Sequence, residues 1–197
     1  MQTTERVLPL PVVGAKRIYL LTFFTVITIA PFFIAHVQLL TGPLVNAVLI
    51  LACVLLGPTE AVTLGLFPST VALMSGLLPL AFAPMVPFII ISNAIYVLGF
   101  AWSNGKSRKS RNTKKSMKAD SSPSSISSFS SISFSIIFAS VLKYLFLVAV
   151  VRIVMSRFID GASLPTLTFM MGLPQLITAL IGGAIALAIL SVLKRRA

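Results

Sequence analysis

The chain has 197 residues, is 57% hydrophobic and carries a formal net charge of +12, with a mean hydropathy of +1.01. A soluble domain of this size cannot hide that much apolar surface, so lipid is the expected solvent for most of it. The charge does not point to nucleic acid, because the cations sit at helix ends and in one loop, where membrane topology needs them.

Met1 to Lys16 reads as a short polar tail, held on the cytoplasmic side by Lys16 and Arg17. A first helix is predicted over 18–35, long enough to span. Thr22, Thr25 and Thr28 share one of its faces, with hydroxyls expected to bond back to their own helix. Pro31 is expected to bend its outer end. The outer loop 36–41 has no Lys or Arg. Gly42 and Pro43 open a second helix over 44–56, with proline in the first turn, where a missing N–H costs nothing. Gly57 and Pro58 end it.

A third helix is predicted over 61–80, with Pro68 near its middle. Proline frees a carbonyl one turn back, and the Ser69 and Thr70 hydroxyls can help satisfy the local backbone. Such a break either lines a cavity or is a plain structural kink. Pro79, Pro84 and Pro87 mark a second outer turn. A fourth helix over 86–102 places Asn93 and Tyr96 on one face and ends on Trp102 at the membrane interface.

Residues 103–131 show no hydrophobic period. Seven cations from Lys106 to Lys118 precede a serine-rich half. A solvated, flexible cytoplasmic loop without a fold of its own is expected there. A fifth helix over 132–155 carries Lys143 and Arg152. Nine residues at roughly 100° each put these two on opposite faces. The longest outer loop, Ser156 to Gly172, leads to a sixth helix over 173–193. Its small residues are spaced for close packing: Ala179 with Gly183, Gly182 with Ala186, Ala184 with Ala188. The expectation is an all-α bundle of six transmembrane helices forming one domain, residues 1–197, with both termini cytoplasmic, multi-pass in the cell membrane.

The chemistry available is narrow. The acids are Glu5, Glu60, Asp120 and Asp160, and none falls at membrane depth. One histidine, His36, and one cysteine, Cys53, build no usual metal site, and Cys53 reads as a small buried hydrophobe. No H-E-x-x-H, no aspartate pair and no G-x-x-x-x-G-K-[ST] is present. No enzyme, no metal, no cofactor and no built-in energy source is expected.

The polar side chains do group. Asn46, Arg152 and Gln175 fall in or near the outer third, and Asn93 and Lys143 deeper. These five are the candidate substrate contacts of a pocket opening outward, with apolar walls and a few convergent polar groups. Asn46 and Gln175, near helix starts, are equally open to capping or helix-bridging roles. Lys143 is sharper, because a cation near mid-membrane costs roughly 2.5–3.5 kcal/mol on insertion scales. With no carboxylate at that depth, it either snorkels, meets backbone carbonyls or awaits an anionic ligand. The local excess of cations over acids suggests an anionic or carboxylate-bearing solute.

The stretches Gln38-Leu-Leu-Thr-Gly-Pro-Leu-Val-Asn46, Leu55-Leu-Gly-Pro58, Ala83-Pro-Met-Val-Pro-Phe88 and Ile91-Ser-Asn-Ala-Ile-Tyr96 resemble the substrate-binding S components of energy-coupling factor (ECF) transporters. The resemblance covers about Gln38 to Trp102, and helices five and six match in layout alone. It implies a subunit that captures a vitamin or other micronutrient outside, with a separate transmembrane coupling protein and ATPase subunits supplying power. The first helix departs from the pattern: Thr22, Thr25 and Thr28 stand where many S components carry an alanine-x-x-x-alanine face. The alternative reading is a membrane scaffold or assembly protein whose basic cytoplasmic loop recruits a partner or anionic lipid.

Overall fold

A computed structural model describes residues 12–33, 38–76, 80–117, 125–158 and 164–196. The described chain is all helical: α1 (Val12–Phe33), α2 (Gln38–Leu55), α3 (Pro58–Leu64), α4 (Phe67–Met74), α5 (Val86–Met117), α6 (Ser125–Ile153), α7 (Leu164–Met170) and α8 (Leu173–Arg196). Short 3-10 turns occupy Leu80–Met85 and Met155–Arg157. All six predicted helices are present, the third of them split into α3 and α4. Among the described residues, three stretches are long and apolar enough to cross a membrane: Phe82–Lys106, Ser130–Arg157 and Leu164–Leu193. Ile18–Ile29 and Leu40–Leu55 are shorter apolar helices.

Local chemistry explains the breaks. Gly57 turns the chain from α2 into α3 with a φ of 123°, a conformation that a side chain resists. Pro58 then starts α3, where its missing N–H is harmless. The α3–α4 break falls at Gly65 and Leu66, just ahead of Pro68, which has no N–H to continue the ladder. The Thr70 hydroxyl shares its hydrogen between the Leu66 and Phe67 carbonyls, at 3.1 and 2.8 Å. Thr70 thus bonds to local backbone as the sequence leads one to expect, whereas the buried Ser69 hydroxyl finds no partner among the described residues. On α1, the Thr22 and Thr25 hydroxyls bond back to Ile18 and Leu21, whereas the buried Thr28 hydroxyl has no partner among the described residues.

Three expectations need correction. The tract 103–131 is not unstructured throughout: α5 runs on to Met117 and α6 starts at Ser125. A missing hydrophobic period does not by itself exclude a helix, because helix propensity acts without an apolar stripe. Its root is also packed, with Ser135 Oγ 3.2 Å from a buried Ser103 Oγ. Second, α1 begins at Val12 rather than at 18. Third, the loop between the fifth and sixth predicted helices contains α7. His36 and the tail before Val12 lie outside the described residues.

Helix directions follow from paired contacts. Gly42 sits against Thr178, and Gly182 against Pro43, Asn46 and Ala47. The pairing steps forward along both helices, so α2 and α8 run parallel. A Cβ on Gly182 would lie 2.5 Å from the Pro43 carbonyl oxygen, so glycine permits this approach. Ser103 faces Ser135, Gly99 faces Ala139, and Asn93 faces Lys143, so α5 and α6 are antiparallel. Ile136 meets Gly183, while Arg152 and Leu173 border one groove, so α6 also opposes α8. Hence α2, α5 and α8 point one way and α6 the other. Two apolar cores result. The larger centres on α2, with Tyr96 and Phe100 of α5 against it. The smaller gathers Leu147 and Val151 of α6 and Met155 of the 3-10 turn after it with Leu167 and Met171.

Candidate functional site

Among the described residues, a buried polar cluster holds three of the five sequence candidates, a groove holds a fourth, and Gln175 joins neither. Lys143 projects from α6 into the interior and is 3% exposed. Its ammonium donates to Asn46 Oδ1 of α2 at 2.8 Å and to Asn93 Oδ1 of α5 at 2.9 Å. It also stands 5.4 Å from the centroid of the Tyr96 ring. Two amide oxygens and a π face are all attractive to a cation. No carboxylate among the described residues pairs with it, and Glu60 is the one acid among them. The ammonium thus meets neither backbone carbonyls nor the membrane surface. Its partners are side-chain amides.

The amides are themselves held. Asn93 Nδ2 donates to the Gly65 carbonyl at 3.1 Å. That bond takes up an acceptor left over at the α3–α4 break and turns the Asn93 oxygen toward Lys143. The Tyr96 hydroxyl donates to the Ala179 carbonyl of α8 at 3.0 Å. Asn46 presses its Cβ against Gly182. One connected set of contacts therefore spans α2, the α3–α4 break, α5, α6 and α8. Each polar group is buried, and each has a partner, which is what makes such a network tolerable in an apolar interior.

Arg152 lies elsewhere. It is exposed, in the last turn of α6, on the side away from Lys143, as the nine-residue separation predicts. It borders a groove of about 590 Å³ between the C-terminal half of α6 and the α7–α8 turn. Tyr144, Val148 and Arg152 recur every four residues along α6 and form one wall. Leu164, Thr168 and Phe169 of α7 form the other, and Gly172 and Leu173 close the end. Gln175 begins the next turn of α8, half-buried, outside the groove lining and outside the Lys143 cluster. Its carbonyl accepts the Thr178 hydroxyl.

Asn46, Asn93 and Lys143 are thus brought together, while Arg152 and Gln175 are not joined to them. Sequence reasoning missed Tyr144, Thr168 and Phe169. The first was findable, because a four-residue spacing back from Arg152 through Val148 marks a single helical face. The other two sit on α7, whose seven residues are too few for a periodic signal. Among the described residues, no group of three or more His, Cys, Asp or Glu is placed to hold a metal. Compared with models of protein families, with curated proteins and with solved structures, the chain matches none.

Proposed function

We propose that the chain is a multi-pass protein of the cell membrane that captures a small solute, as the S component of an ECF-type importer does. A transmembrane coupling protein and ATPase subunits are its expected partners. The observation that carries this reading is the groove at the end of α6: a concave, mainly apolar site with one cation at its rim, in a bundle without a nucleotide-binding motif. The helix directions support the topology. The C-terminal ends of α5 and α8 share a side, and both lead into basic residues, Lys106 to Lys118 and Lys194 to Arg196. The positive-inside rule makes that side cytoplasmic, so the groove faces out. The split third helix, braced through Asn93, fits a transport protein, where irregular backbone is tolerated at depth when protein groups satisfy it.

The test is affinity purification of the tagged chain from its native membrane in mild detergent. Mass spectrometry then identifies bound proteins and small molecules. A coupling protein and ATPases co-purifying with the chain are the expected result. Their absence overturns the reading. One observation favours a second reading, a scaffold that grips anionic lipid or a partner. Helix α5 continues through the basic tract to Met117, and Lys106 sits over the Trp102 ring at 5.1 Å. Recovery of a partner that depends on residues 106–117, with no ATPase, supports that alternative.

A further inference from the structure

The groove beside Arg152 has a chemistry specific enough to name its ligand. Arg152 has no hydrogen-bonding or ionic partner for its side chain among the described residues. The one described acid, Glu60, follows the C-terminal end of α2, at the opposite end of the bundle. The Thr168 hydroxyl spends its hydrogen on the Leu164 carbonyl at 2.8 Å, so it offers a ligand only an acceptor. Tyr144 adds one phenol hydroxyl to the same wall as Arg152, the other lining side chains are apolar, and Phe169 and Leu173 are 73% and 62% exposed. An arginine at this end of α6 also runs against the usual distribution of cations in a membrane protein, if this end faces out as proposed above.

We propose that this groove binds the solute as an amphipathic carboxylate, with its anion forked against the Arg152 guanidinium and its apolar body along Val148, Leu164, Phe169 and Leu173. The inference rests on the solute-capture reading and adds the ligand's class and position. A guanidinium matches a carboxylate with two parallel hydrogen bonds. A single cation, with only the Tyr144 hydroxyl as a further side-chain donor, suits a monoanion better than a doubly charged phosphate. The volume, about 590 Å³, falls within the roughly 300–1,000 Å³ typical of small-molecule sites. The Lys143 cluster takes no part, since its amide oxygens already hold the ammonium and would repel an anion.

The full-length protein in discs of phosphatidylcholine is titrated with radiolabelled phenylbutyrate, and separately with the uncharged phenylbutyramide. One saturable site for the carboxylate is expected, with the amide about tenfold weaker or worse. Arg152→Gln loses affinity by about the same factor, and Arg152→Lys recovers part of it. Leu173→Trp fills the groove and removes binding with Arg152 still in place. Lack of saturable binding, equal binding of acid and amide, or indifference to Arg152→Gln overturns the proposal. So does displacement of phenylbutyrate by phosphatidylglycerol discs in an Arg152-dependent way, which makes the groove a lipid site. Co-purification of ATPase partners with Arg152→Gln separates the two claims. Partners without carboxylate binding sink only the groove assignment, and carboxylate binding without partners sinks only the importer reading.

Discussion

Lys143 and Asn93 share one hydrogen bond of 2.9 Å across the α5–α6 interface, and that bond does two jobs. It gives a buried ammonium an acceptor. It also fixes an amide whose nitrogen holds the Gly65 carbonyl at the α3–α4 break. The buried ammonium and the break between α3 and α4 are therefore stabilised by the same side chain.

Lys143→Met is expected to destabilise the folded bundle by about 1–3 kcal/mol. The change relieves a buried charge, but it strands two amide oxygens that face no other donor in the network described. In the unfolded protein within a membrane, Lys143 reaches an interface, so little is gained there by removing it. Thermal unfolding in detergent measures the loss. Carboxylate binding in the groove, on the other face of α6, should persist in the folded fraction. Unchanged or raised stability contradicts the brace.

Asn93→Leu should cost more than Asn46→Leu, by about 1 kcal/mol. Both remove an acceptor from Lys143, but only Asn93 also leaves the Gly65 carbonyl unpaired. In a double-mutant cycle, Asn93→Leu combined with Lys143→Met should cost less than the sum of the two single changes. Equal costs for the two asparagines, or strict additivity, removes the link to the helix break.

The cluster shows how far sequence reading reaches. That Asn46, Asn93 and Lys143 matter was legible, because polar groups are rare and expensive in an apolar span. That they converge was expected, but that Lys143 pairs with the two asparagines rather than with a ligand was not, because the contacts join residues 97 and 50 positions apart, on three helices whose neighbours depend on tertiary packing. The opposite facing of Lys143 and Arg152 was legible from helical angle alone. Gln175 looked equivalent to Asn46 because both are amides near a helix start, and only the parallel seam of α2 and α8 turns one inward and leaves the other half-buried. The helical stretch to Met117 escaped detection because its sequence carries no hydrophobic period, which is the signal from which a helix is read.

Gly182→Leu should cost about 1–3 kcal/mol or prevent folding, because its side chain would enter space held by Pro43, Asn46 and Ala47. Gly105→Ala is the control. It lies inside α5 with nothing within 4 Å of the added carbon, so a gain of about 0.5–1 kcal/mol is expected. Thermal unfolding of both variants checks the pair. Similar behaviour of the two would contradict the close α2–α8 approach.

Topology can be read by thiol labelling in a Cys53→Ala background. A cysteine at Ser110, in the helical extension of α5, should react only after the membrane is opened. One at Thr166, exposed on α7, should react from outside. Outside reaction at Ser110 reverses the assignment and places the Arg152 groove in the cytoplasm.

The seam between α2 and α8 also sets a timetable for biogenesis. Gly182, which Asn46 and Pro43 pack against, belongs to α8, which is made after the other helices described, whereas its partners belong to α2. Until α8 arrives, the Pro43–Ala47 face of α2 lacks its partner, and the Ala179 carbonyl that receives the Tyr96 hydroxyl does not yet exist. The nascent chain therefore holds this flank of α2 uncovered until α8 is made. A chain that stops before α8 exposes that flank permanently, and such a product is a natural substrate for membrane quality control.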